Sequence, residues 1–256
     1  MRNRLLLLTV MIILPAAGCQ EEEPLAPYGG WPPSGVLFIG NSYTSYNGGL
    51  DALVEGLVET GIPSHDIETG IVAPSGYTLS MHAESRETRE AIADGDWDVV
   101  VIQEQSTTPL TNPEAMFNAA REIDRFIRES GAQTVLFMTW AREASPGTIE
   151  GIAAVYDSLG EELGAPVAPV GRAFSLALER RPDIGLYDPD GSHPDARGSY
   201  LAACLFYAFL WGEDPRGNVF TADLVLEPAE RSFLQEIAWE VIDTKPGLFT
   251  QQTKSR

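Results

Sequence analysis

The run Asp98-Val-Val-Val-Ile102 shows no alternation of apolar and polar residues, and it constrains the fold more than any other stretch. A strand with one wet face alternates. A strand covered on both faces does not, and such strands belong to parallel sheets clothed by helices. Similar short apolar runs recur at 36–39, 67–72, 134–139 and 167–170. Between and beyond them lie stretches with a helical pattern, roughly 49–60, 84–93, 113–130, 148–163, 172–181, 195–211 and 228–243. Pro113 and Gly131 bracket the third of these in the order that favours a helix start and stop. Five strands alternating with helices predict an α/β fold, a three-layer α/β/α sandwich around a five-stranded parallel sheet. Right-handed crossovers bring the C-terminal ends of all strands to one edge, where the sites of open α/β sheets form.

The first strand, Val36-Leu-Phe-Ile39, breaks abruptly into Gly40-Asn41-Ser42. Ser42 could be a nucleophile at that edge or a polar residue ending a strand. Serine hydrolysis needs a base for the serine proton, a group to orient that base, and donors for the oxyanion. Three histidines make the search short. His65, in Gly61-Ile-Pro-Ser-His-Asp66, reads as a solvated loop residue, and His82 as a packing or surface residue. His193 lies in Asp188-Pro-Asp-Gly-Ser-His-Pro-Asp195, a Pro- and Gly-broken loop ahead of a strongly apolar helix. Asp190, three residues before it, can reach back in a turn to the imidazole Nδ1–H. A polar loop capping the next helix would produce the same spacing. Calcium is the poorer reading of the three acids, because the loop lacks the ligand order of an EF-hand.

The N-terminus is not part of the core. Arg2 and Arg4 precede an apolar run from Leu5 to Leu14, and Pro15-Ala-Ala-Gly-Cys19 follows. That is the layout of a secretory signal, too short to span a bilayer as a helix. Ala-Gly-Cys resembles a bacterial lipoprotein box, which implies lipidation of Cys19 and a membrane-anchored protein of the cell envelope; Ala16 stands where the box usually has Leu. The acid-, Pro- and Gly-rich residues 19–34 read as a flexible tether, 35–244 as one domain and 245–256 as a polar tail. With Cys19 lipidated, Cys204 has no partner and reads as a buried, inert thiol. Loss of residues 1–18 removes two arginines and leaves 15 basic against 37 acidic residues, a formal charge of −22. Such a surface repels nucleic acid.

The ordered set carries more weight than any one block. Ser42 follows the first strand, and Gly76 lies in Ala73-Pro-Ser-Gly-Tyr-Thr78 after the second. Gln103-Glu-Gln-Ser106 follows the third, and Asp190/His193 come late. In this order the chain resembles the SGNH (GDSL-type) hydrolases over residues 35–212, which implies a flavodoxin-like sheet and a Ser-His-Asp esterase. The resemblance implies Ser42 as nucleophile, His193 as base and Asp190 as orienting acid. It implies an oxyanion hole from the N–H groups of Ser42 and Gly76. Where the family has Gly-x-Asn-Asp, Gln105 falls at the Asn position as third donor, with Gln103 the alternative. Trp140 and Arg142, after the fourth strand, either line an acyl or sugar pocket or pack the loop and neutralise local acids. Tyr43, Tyr46 and Asn47 are further pocket candidates. No metal or organic cofactor is required, and the expected partner is a small-molecule or glycan ester, with short acyl groups on carbohydrate favoured. A binding lipoprotein with an inactive hydrolase fold and an envelope O-acyltransferase are the competing readings.

Overall fold

The computed structural model describes residues 32–243. The signal, Cys19, most of the tether and the polar tail fall outside the described residues.

Five parallel strands form one sheet in the order β2-β1-β3-β4-β5. They are β1 (Gly35–Ile39), β2 (Glu68–Val72), β3 (Val99–Ile102), β4 (Gln133–Phe137) and β5 (Val167–Ala168). β1 lies between β2 and β3, with Val36 opposite Val99 and Ile39 opposite Ile102. The chain therefore winds one way from β1 to β2 and the other way from β3 onward. This places the switch point at the C-terminal ends of β1 and β3, where ligands bind in this sheet order.

The period of two along a strand divides the core. Val36 and Phe38, with Val99, Val101, Val135 and Phe137, face one helical layer. That layer comprises α2 (Leu50–Gly61), α8 (Val170–Arg180), α9 (Ala196–Trp211) and α10 (Pro228–Asp243). Leu37 and Ile39, with Val100, Ile102 and Leu136, face the other. There lie α3 (Leu79–Glu84), α4 (Arg86–Asp94), α6 (Pro113–Ser130) and α7 (Ile149–Leu163). Two short helices, α1 (Ser42–Ser45) and α5 (Thr108–Thr111), sit in the loops after β1 and β3.

α9 is the least ordinary helix, because every residue from Gly198 to Trp211 is buried. α2, α8 and α10 all pack on it, so it is apolar all round rather than striped. Asp195 caps it, its carboxylate accepting from the N–H groups of Arg197 and Gly198. That duty answers for one of the three loop acids. Cys204, in the same helix, is free and fully buried, and burial pushes its thiol far above the ordinary range.

Several boundaries differ from the sequence reading; β4, for one, ends at Phe137 instead of Thr139. The helix expected at 84–93 is α4, which starts at Arg86 because Ser85 is extended and its hydroxyl caps it at Thr88 N–H; a separate helix, α3, precedes it. β5 ends at Ala168 instead of Val170, since Pro169 has no N–H to donate and Val170 already opens α8.

Phe38 is fully buried and meets Phe206 of α9 edge-on, with ring centroids 5.5 Å apart. Phe38→Ala should therefore cost about 3–5 kcal/mol in urea denaturation. A loss below about 1 kcal/mol would mean that this face of the sheet is not the core.

Candidate active site

The loops that leave β1, β2, β3 and β4 meet the loop before α9 at the C-terminal edge. Together they line a cavity of about 170 Å³ with Ser42, Tyr43, Gly76, Gln105, Arg142 and His193 among its walls. Asn41 is the N-cap of α1, its Oδ1 accepting from Tyr43 N–H, so Ser42 is the first helical residue. A helix leaves its first N–H groups without intrahelical acceptors, which suits Ser42 N–H to an oxyanion.

Ser42 Oγ lies 2.8 Å from His193 Nε2, and His193 Nδ1 lies 2.5 Å from Asp190 Oδ2. A carboxylate only accepts, so Nδ1 carries the proton and Nε2 presents its lone pair to the serine hydroxyl. The other oxygen, Asp190 Oδ1, accepts from the backbone N–H groups of Ser192 and His193, each at 2.9 Å. One carboxylate thus builds the turn and orients the ring. Its bonds to the His193 side chain, then to the two N–H groups, hold the Asp190 carboxyl down at about 2. Gly191 makes the turn in the left-handed region, φ 66°. A bridge between Tyr187 and Pro194 closes the loop at its base.

The imidazole is clamped by aromatic rings. Tyr46 stacks on it at 4.5 Å, and Tyr43 meets it edge-on at 5.6 Å. Tyr43 is stacked in turn on Trp140, and Trp140 on Phe174 of α8. Tyr43 Oη hydrogen-bonds Ser192 Oγ at 2.6 Å, and Trp140 Nε1–H donates to the Ser192 carbonyl at 3.0 Å. Trp140 is therefore not a pocket wall, as the sequence allowed. It is 1% exposed, a buried brace for the histidine loop. Nor do Tyr46 and Asn47 line the cavity; Asn47 ties the β1 loop to the Pro194 carbonyl and to Ser199 Oγ. Tyr43 and Arg142 do line it.

The third block resolves into two unlike glutamines. Gln103 is fully buried, and its Oε1 accepts from Asn41 N–H and Thr44 Oγ1 while its Nε2 donates to the Glu104 carbonyl. It holds the serine turn and does not line the cavity. Gln105 Oε1 accepts from the N–H and hydroxyl groups of Thr107 and Thr108. Because backbone N–H groups require an oxygen there, the amide nitrogen must point the other way, toward Ser106 Oγ and the cavity. Gln105 is the side-chain donor of the two. Gly76 also lines the cavity, at φ 74° with open space where a Cβ would stand. Its need for glycine is conformational. Asn41 Nδ2 reaches across to the Tyr77 carbonyl at 2.8 Å and fixes that loop against the serine turn.

The other two histidines are structural. His82 is fully buried; Nε2–H donates to the Gly40 carbonyl at 2.7 Å and Nδ1 accepts from Thr88 Oγ1. Burial lowers its tendency to charge. His65 is half-buried rather than solvated, with Nε2 on the Pro33 carbonyl.

Several solved structures share this architecture. A protein from Slackia heliotrinireducens, provisionally described as an SGNH hydrolase, is 26% identical with a TM-score of 0.59, over 69% of this chain and 98% of its own. The chain has the fold of the SGNH (GDSL-type) hydrolases. A DUF4886 family protein from Bacteroides uniformis superposes on this SGNH fold over 81% of the chain and 94% of its own, with TM-score 0.68 and 20% identity. An acetylxylan esterase from Geobacillus stearothermophilus covers 74% of the chain and 98% of its own, with TM-score 0.56 and 19% identity. No protein-family model and no curated protein matches the chain.

Sequence reasoning missed Glu104, whose signal was only an acid following a buried strand. It is fully buried; Oε1 accepts from Gln105 N–H at 2.6 Å and Leu79 N–H at 3.2 Å, and Oε2 meets no partner among the described residues. Burial pushes its carboxyl up to about 7, against the pull of those two N–H groups. The folded chain thus holds this proton more tightly than the unfolded one, and stability falls as pH rises from about 4.5 through about 7, on the order of 2–3 kcal/mol. Glu104→Gln keeps an oxygen for both N–H groups and removes the charge. Its melting temperature relative to the parent should rise between pH 5 and pH 8, by roughly 4–10 °C. A difference that does not change with pH would sink this assignment.

Proposed function

We propose that the chain is a serine esterase acting on short acyl esters, with O-acetyl groups on carbohydrate as the favoured substrates. The single observation that carries the reading is the relay from Asp190 Oδ2 through the imidazole to Ser42 Oγ, at 2.5 and 2.8 Å. A surface serine meets an oriented imidazole by chance only rarely, and here aromatic rings and a dedicated turn hold that imidazole in place.

In this mechanism Ser42 Oγ attacks the ester carbonyl as its proton passes to His193 Nε2. The tetrahedral oxyanion takes hydrogen bonds from the N–H groups of Ser42 and Gly76 and from Gln105 Nε2. His193 then gives its proton to the departing alkoxide, leaving an acyl-Ser42. Water, deprotonated by His193, attacks that acyl group and releases the acid, and the proton returns to Ser42. Asp190 stays ionised throughout, stabilising the imidazolium. The cavity, about 170 Å³, has room for a short acyl group. The acetylxylan esterase among the similar structures fits this choice of acyl group.

On 4-nitrophenyl acetate, Ser42→Ala should lower kcat by about 10³-fold or more. Asp190→Asn should lower kcat by about 10²–10⁴-fold with little change in KM, because the ring loses its tautomer and not its pocket. Hydrolysis that survives Ser42→Ala would overturn the assignment of the nucleophile.

The place of action follows from the N-terminal sequence: export and anchorage to a cell-envelope membrane through lipid on Cys19. In a bacterial host fed labelled palmitate, the full chain should take up label and Cys19→Ala should not. Equal labelling of the two would remove the anchor.

A further inference from the structure

Arg142 extends to the seam between the catalytic cavity and a second one of about 250 Å³, and both are lined by Arg142 and Ser106. Most arginines of this acidic chain pair with carboxylates: Arg121 with Glu162, Arg128 with Asp124, Arg197 with Asp195 and Glu230. Arg142 pairs with none among the described residues, and its guanidinium makes one bond, to Ser106 Oγ at 2.9 Å. The acid next to it in sequence does not serve it, since the Glu143 carboxylate lies against Gly191, and Asp190 of the histidine loop is taken by His193.

The polar groups at the seam all donate. Ser106 Oγ accepts from both Arg142 and Gln105, so its own proton is left for a ligand. Gln105 turns its nitrogen this way because its oxygen is occupied by Thr107 and Thr108. Arg142 and Ser106 thus offer donors and no free acceptor, which suits a group that only accepts. A guanidinium fork matches a carboxylate in both shape and charge. The second cavity, with Leu110 and Ile152 beside the hydroxyls of Thr107, Thr111 and Thr148, has the mixed character that a sugar ring needs. The negative charge of the chain does not forbid such a ligand, because distant charges are screened beyond about 8 Å at physiological salt while the local pair is not.

Resting on the esterase reading, we infer that the preferred substrate carries a carboxylate on its alcohol side, as an acetylated uronic acid does. The ester lies over Ser42, the ring enters the second cavity and the carboxylate binds Arg142 and Ser106. Arg142 is then the specificity-determining residue.

Binding to the full-length Ser42→Ala protein tests this without turnover. The ligands are short O-acetylated galacturonate oligomers, as the free acid and as the methyl ester, compared by calorimetry at about 0.15 M salt. The free acid should bind at least tenfold more tightly, as a charge-assisted pair predicts. Arg142→Gln in the same background should bring the ratio within about twofold, and Arg142→Lys should keep part of it. Equal binding of acid and methyl ester, or a preference that survives Arg142→Gln, overturns the inference. Turnover of 4-nitrophenyl acetate by the unsubstituted protein reports on the esterase reading separately. If that turnover is absent and the charge preference stands, Arg142 marks a carboxylate-binding site and the esterase reading alone falls.

Discussion

Because β1 is covered by helices on both faces, no polar side chain can leave it sideways, and its chemistry is confined to the residues just past Ile39. The turn there is packed so closely that a Cβ on Gly40 would stand 2.4 Å from Thr44 Oγ1 and 2.5 Å from Gln103 Oε1. The backbone groups of Gly40 and Asn41 are answered. His82 satisfies the Gly40 carbonyl, Gln103 takes the Asn41 N–H, and Asn41 caps α1 while holding the Tyr77 carbonyl. An unanswered buried group would cost about 1–3 kcal/mol each, so the network selects one arrangement of the turn. Ser42 inherits its position from that selection.

The histidine loop is positioned by different means, since it belongs to no strand. Asp190 folds the turn with one oxygen and aims the ring with the other. The stacked column Tyr43, Trp140 and Phe174 then anchors the turn to α8 through the Ser192 carbonyl and hydroxyl. The serine side and the histidine side share this column, because Tyr43 is the residue next to Ser42. A displacement of the column would move both halves of the pair together, which protects their mutual distance better than two independent supports would.

The strands and the sheet class were legible in the sequence because burial on both faces writes itself as unbroken apolar runs, as at Val99–Ile102. The proposed triad was legible because order along the chain maps onto order along the sheet edge. What escaped were contacts between segments distant in sequence. Trp140 and Tyr46 have the composition of pocket residues, and only three-dimensional packing turns them into a brace and a stacking partner. Glu104 escaped for the same reason: its two N–H partners lie on different loops, and one of them, at Leu79, is 25 residues away. The start of α4 hinges on one serine whose capping role competes with continued helix.

Gln105 raises the question of whether a longer side chain can do the work of the shorter one usual in the family. An extra methylene adds rotameric freedom, and freezing a glutamine costs up to about 1.5–2 kcal/mol. In a pocket that had to freeze it during the reaction, the cost would fall on the barrier. Here Thr107 and Thr108 direct two N–H groups and two hydroxyls at Oε1, so the ordering is met by folding before any substrate arrives. The same four donors leave the amide nitrogen one direction to face. Preorganisation of this kind is what makes a donor effective toward a developing charge, and in the proposed mechanism it would let the longer residue stand in without becoming the looser one.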